Sequence, residues 1–163
     1  MVTQAISTLL TTAPIPALRE RFADAKLALY LVGGPVRDAI LGRRVADLDF
    51  ATDATPPDIK RLLRTAGAHG IYTMGERFGT VGGVFQDVTV EITTYRSESY
   101  TEGSRKPAVE FGASLDGDLS RRDLTINAMA LDLTTGSIVD PFGGAHDLAD
   151  RKSTRLNSSH IPL

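Results

Sequence analysis

The chain has 163 residues, 42 % of them hydrophobic, and its 18 Lys and Arg nearly balance 20 Asp and Glu for a net charge of −2. That length suits one domain with a real core, while the charge excludes a global basic footprint for nucleic acid and no apolar run approaches the ~18 residues of a membrane helix. With no cysteine, disulfides and thiolate metal sites are excluded.

The opening "MVTQAISTLLTTAPIP" lacks the basic start and long apolar stretch of a secretion signal, so a reducing, cytoplasmic setting without a membrane is expected. Residues 15–27 read as an amphipathic helix with Leu18, Phe22 and Ala25 on one stripe. "LALYLVGG" (27–34) is a short apolar run stopped by glycines and predicts a buried strand. "PVRDAILG" (35–42) predicts a short helix, with Pro35 in its first turn and Gly42 as its stop. "VADLDFAT" (45–52) predicts the second strand, and 55–67 a helix with a Thr cap and a terminal Gly. "IYTMG" follows, then "GTVGGVFQ" and "DVTVEITTYR", which predict an antiparallel hairpin turning near Gln86 and Asp87. In its second strand Val88, Val90 and Ile92 share one face, and Thr89, Glu91 and Thr93 the other.

Residues 97–108 are polar and predict a mobile loop. "SLDGDLSRRDLTINAMALDL" predicts two helical parts and a strand, and "GSIVDPFGG" a last strand and turn. Helices interrupting strands imply an α/β (α+β) fold, a mixed sheet flanked by helices. The organisation expected is an N-terminal segment (1–26) with one amphipathic helix, a head domain (27–149) and a polar tail (150–163). The tail, "DRKSTRLNSSHIPL", has no periodicity, and its first eleven residues are what a common sequencing adapter gives when translated; it is expected to be non-native and disordered rather than an ordinary tail.

Asp47 and Asp49 are the residues that a simple strand does not explain. They fall on one face, opposite Leu48 and Phe50, and two carboxylates side by side are costly unless a cation neutralises them. Oxygen-only ligands favour hard cations, Mg²⁺ above all. If the strand of Glu91 is a neighbour, three carboxylates converge, as a two-metal phosphoryl or nucleotidyl transfer requires. Alone, "DLD" favours a polar, solvent-facing strand edge.

Gly33 and Gly34 lead a strand into a helix and expose backbone N–H groups, a ready anion site, and Arg37 lies one turn in, able to reach a phosphate. The loop lacks both the Walker ending and the third Gly of a dinucleotide fingerprint. In "SRRDLTINAMA", Asp123 is placed to cap the next helix, leaving Arg121 and Arg122 before it to face a negative ligand. Lys60, Arg61 and Arg64 read as a solvated helix face, and His69 and His146 are given no role.

In order, "LVGGPVRDAILGRRVADLDFAT", "GTVGGV", "VEITTYR" and "DLSRRDLTINAMALD" resemble the head domain of the bacterial-type (class II) CCA-adding tRNA nucleotidyltransferase and poly(A) polymerase family. The resemblance covers roughly residues 27–149. It implies a polymerase-β-like nucleotidyltransferase fold that adds CMP and AMP from CTP and ATP to tRNA 3′ ends with Mg²⁺. By the same resemblance, Asp47 and Asp49 are the metal-binding pair and Glu91 the third catalytic carboxylate. Gly33, Gly34 and Arg37 match the part that contacts the triphosphate, with Asp38 in support, and Arg122 and Asp123 the part near ribose and phosphates. The loop 97–108 falls where the family has a flexible loop implicated in switching from CTP to ATP addition. The family's neck, with its base-reading Glu-Asp-x-x-Arg element, and its tRNA-holding body have no counterpart after Asp140, so a truncated head is expected. Poly(A) polymerase and a non-catalytic nucleotide- or RNA-binding fragment are the rival expectations.

Overall fold

The computed structural model describes residues 2–45, 47–74, 79–100, 107–111 and 114–150. Nine strands and six helices follow in the order α1 (Val2–Thr11), α2 (Ile15–Asp24), β1 (Leu29–Val32), α3 (Gly34–Ile40), β2 (Asp47–Thr52), α4 (Pro56–Thr65), β3 (His69–Thr73), β4 (Thr80–Phe85), β5 (Val88–Thr94), β6 (Arg96–Tyr100), β7 (Pro107–Phe111), α5 (Leu115–Ser120), a 3₁₀ turn (Thr125–Asn127), β8 (Ala130–Asp132), β9 (Ile138–Val139) and α6 (Gly144–Ala149) among the described residues. Seven strands form one sheet in the order β3-β4-β5-β2-β1-β8-β9, and β6 and β7 pair separately. Every neighbouring pair in the large sheet is antiparallel except β2 and β5. The mixed sheet expected from the sequence is therefore present, and it is mainly antiparallel.

Strand alternation sorts the sheet into two faces. Leu29 and Leu31 of β1, Leu48 and Phe50 of β2, and Val90 and Ile92 of β5 pack with Leu18 and Phe22 of α2, Val36 of α3, and Ile59, Leu62 and Leu63 of α4 in the main core. On the opposite face Val32, Ala51, Tyr95 and Ala130 pack under Leu119 of α5, a smaller cluster that leaves Asp47 and Asp49 exposed.

Several local expectations change. Helix α2 ends at Asp24, and Ala25 is its exposed C-cap, so Ile15 rather than Ala25 joins Leu18 and Phe22 on the buried stripe. Helix α1 precedes it, packing Ile6, Leu9 and Leu10 against the core; the sequence reading assigned it no helix. Thr55 stands at the N-cap of α4 with extended backbone, but its hydroxyl makes no capping bond. The predicted mobile loop 97–108 is a hairpin arm at both ends: β6 and β7 pair from Arg96↔Phe111 to Tyr100↔Pro107, because ladder bonds join backbones whatever the side-chain polarity. Residues 101–106 of that loop, and the tail from 151 onward, lie outside the described residues. The segment after β9 continues into α6, where both oxygens of Asp140 accept from the amides of Gly144 and Ala145.

Candidate active site

The carboxylates lie on a row that crosses four strands. Asp49 of β2 is the register partner of Glu91 of β5, Glu91 that of Gly82 of β4, and Gly82 that of Tyr72 of β3. Asp47 sits two residues before Asp49 on the same face, opposite Thr89. The sheet thus brings Glu91 beside the Asp pair, as the strand reading required.

Asp49 is exposed as a residue, yet enough protein surrounds its carboxyl to raise its pKa. Desolvation is the largest cause, followed by repulsion from Glu91; Arg122 pulls the other way and Asp47 adds to the rise. The edge therefore carries more negative charge than its protein neighbours neutralise. The Tyr72 hydroxyl donates to Glu91 Oε1 at 3.2 Å, and burial, then the charge of Glu91, holds this phenol above its ordinary range, so it remains a donor.

A pair of arginines closes the other side. Gly33 has φ +75° and ψ −139°, backbone that only glycine adopts readily, and a Cβ there would stand 3.0 Å from Arg122 Nη1. At Gly34 a Cβ would meet Arg37 Nη2 at 3.3 Å. The two glycines thus let two guanidinium groups lie against the strand–helix turn. The turn offers fewer bare amides than the sequence suggests. Gly33 N–H donates to the Met129 carbonyl, those of Val36 and Arg37 to the Gly33 carbonyl, and Pro35 has none. Positive charge here comes mainly from the side chains.

Both arginines are held by acids close to them in the chain, and Arg37 also by a distant amide. Arg37 Nε donates to Asp38 Oδ1 at 3.0 Å, and its Nη1 to Asn127 Oδ1 at 2.9 Å. Arg122 Nη2 lies 3.3 Å from Oδ2 of the buried Asp118, whose other oxygen takes Arg121 at 3.4 Å. Asp123 does not cap a helix. The 3₁₀ turn has Leu124 at its N-cap with no side-chain capping bond, and the Asp123 residue is exposed, with no hydrogen bond or ion pair among the described residues. One extra residue before the turn carries Asp123 out of capping reach.

Tyr72, Asn127 and Asp118 were not among the residues singled out in the sequence. Asp118 had a legible signal, its i,i+4 spacing to Arg122; Asn127 and Tyr72 reach their partners only through the tertiary fold.

The donor set is all oxygen and carries uncompensated charge, so its chemistry fits a hard divalent cation. Among the described residues no three His, Cys, Asp or Glu side chains already stand grouped around a common metal position. Among those residues, too, no helix is long and apolar enough to cross a membrane.

A family model described as "Poly A polymerase head domain" matches residues 29–153. The chain is similar to a CCA-adding enzyme of Bacillus velezensis, 45 % identical over 123 residues, which are 75 % of this chain and 30 % of that protein. It is similar also to the mitochondrial CCA tRNA nucleotidyltransferase 1 of Danio rerio, 40 % identical over 154 residues, 94 % of this chain and 35 % of that one. Among solved structures, the Bacillus stearothermophilus CCA-adding enzyme in complex with CTP superposes with a TM-score of 0.71 at 33 % identity, covering 90 % of this chain and 34 % of the other. A tRNA nucleotidyltransferase complexed with a primer tRNA and an incoming ATP analog gives a TM-score of 0.66 at 35 % identity, covering 82 % and 36 %. The chain spans about a third of the length of these relatives.

Proposed function

Because the chain belongs to the poly(A) polymerase head-domain family, we propose that it is the nucleotidyltransferase head of a CCA-adding enzyme, transferring CMP and AMP from CTP and ATP to the 3′ end of tRNA in the cytoplasm. The observation that carries the reading furthest is the parallel pairing of Asp49 with Glu91, across from the arginines at Gly33 and Gly34.

In this reading Asp47, Asp49 and Glu91 hold Mg²⁺. When bound, Mg²⁺ lowers the pKa of the RNA 3′-hydroxyl and neutralises charge as pyrophosphate leaves. Arg37, held by Asp38 and Asn127, and Arg122, held by Asp118, orient the triphosphate; Gly33 and Gly34 let them do so, and Asp123, next to Arg122 in the chain, is assigned to the ribose end. The protein supplies position and charge, with no covalent intermediate. A poly(A) polymerase head shares this chemistry and is the second reading, favoured by the description of the family itself.

These groups meet phosphates, which every nucleoside triphosphate has. CTP, ATP, GTP and UTP should therefore bind this chain with Mg²⁺ within about tenfold of one another, roughly 1.4 kcal/mol, and more weakly as salt rises. Calorimetric titration of the four checks it. No binding to any would sink the reading; a clear choice of CTP and ATP would mean that the head itself reads the base.

A further inference from the structure

We propose that Tyr72 is a positioning residue for Glu91, reaching it across the bare backbone of Gly82 and so setting how well the carboxylate edge holds a divalent cation; this rests on the metal reading above. Three independent features of the sheet serve this one contact.

The first is the bulge in β3. His69 pairs with Val84, but Tyr72 pairs with Gly82, so β3 spends one residue more than β4 over this stretch. Gly70, inside the bulge, has φ +59°. In an unbroken ladder Ile71 would stand opposite Gly82, and Tyr72 would turn to the helix-covered face, because a slip of one residue exchanges the faces. The bulge puts Tyr72 on the carboxylate face.

The second is Gly82 itself. Strands lie about 4.8 Å apart, so Tyr72 and Glu91, on either side of β4, are separated by roughly two such steps. The phenol spans that gap only by lying over the intervening residue. A Cβ built on Gly82 would overlap Cζ, Cε2 and Oη at the hydroxyl end of Tyr72. Glycine at 82 is the condition for the reach.

The third is the contact. Tyr72 Oη donates to Glu91 Oε1 at 3.2 Å, long for a hydroxyl donor, and engages one of the two carboxylate oxygens. A donor of this kind fixes the rotamer of a ligating carboxylate, and losing it weakens metal binding on the order of tenfold. A tyrosine that merely covered the glycine gap would keep its effect without the hydroxyl.

The test is Mn²⁺ binding to the full chain, followed by the loss of the free-ion EPR signal, with thermal melting alongside. Tyr72→Phe keeps the ring and drops the hydroxyl; it should weaken Mn²⁺ on the order of tenfold with a melting midpoint near the parent's. Gly82→Ala, which displaces the ring, should weaken it too, and should add no further loss in a Tyr72→Ala background. Asp49→Asn is the control that should abolish the site. If Asp49→Asn abolishes binding while Tyr72→Phe binds as the parent does, or more tightly, the proposal is overturned and the metal reading stands. If parent and Asp49→Asn bind Mn²⁺ alike, the metal reading falls and takes the proposal with it.

Discussion

The two faces of strand β2 are built from alternate residues of one six-residue stretch, and they obey opposite rules. Leu48 and Phe50 are almost wholly buried among the helices; Asp47 and Asp49 on the other side are exposed. The helix-covered face lowers its free energy by excluding water. The carboxylate face carries a residual repulsion that the fold tolerates because the first face holds the strand in place. Period two lets stability and chemistry be assigned to neighbouring residues, so each should be removable without the other.

The sharpest way to break the comparison is Asp49→Ala in a full-length version carrying this head. Nucleotide addition should fall by on the order of thousands-fold, while the melting transition stays cooperative and close to the parent's, since an exposed side chain leaves no cavity. Near-normal turnover would remove Asp49 from the chemistry.

Phe50→Ala, one residue away, should do the reverse. Its ring is 1 % exposed, and truncation in a packed core costs about 3–5 kcal/mol, enough to unfold a marginal domain. Urea denaturation reads it directly. A loss below about 1 kcal/mol would mean that the helix-covered face is not what anchors β2.

The smallest effect sharpens the picture of the repulsion. Asp49 has a raised pKa in the folded state, so the folded chain holds this proton more tightly than the unfolded one. Its contribution to stability is fully present below the unfolded pKa and is lost as pH rises through the folded value. Asp49→Asn does not titrate. Without divalent cations it should match the parent in acid and exceed it at neutral pH by less than about 1 kcal/mol, given the exposure of the site. Denaturation curves at two pH values decide it; a variant less stable at neutral pH would mean that Arg122 outweighs the repulsion.

Much of this was legible in the sequence because it is local. The alternation in "VADLDFAT" separates Asp47 and Asp49 from Leu48 and Phe50 without any knowledge of neighbours, and the same alternation orients Glu91 against Val90 and Ile92. Gly33, Gly34 and Arg37 were visible as a strand–helix turn, although the turn's amides are largely used within the protein. What the sequence hid depends on which strands become neighbours. Tyr72 was unreadable because a bulge reverses its face, and Asn127 because it meets Arg37 across 90 residues of chain. The hairpin of β6 and β7 was hidden for another reason: β6 reads RSESY and carries no apolar alternation, so the apolar residues of β7 had no visible partner strand. Helix α1 was different. Ile6, Leu9 and Leu10 have helical spacing, and the signal was there to use.

The single parallel pair in the sheet has a consequence in time as well as space. Strands that run the same way cannot be joined by a tight turn, and α4, β3 and β4 all lie in the chain between β2 and β5. The antiparallel neighbours β4 and β5 can meet early through their two-residue turn, but Asp49 and Glu91 cannot meet until the whole crossover is closed. A chain emerging from a ribosome has both aspartates in hand long before it has a partner for them, and no partly made product that stops short of Val88 carries the assembled edge. The site is thus tied to closure of the crossover between β2 and β5, and a chain too short to close it presents Asp47 and Asp49 without Glu91.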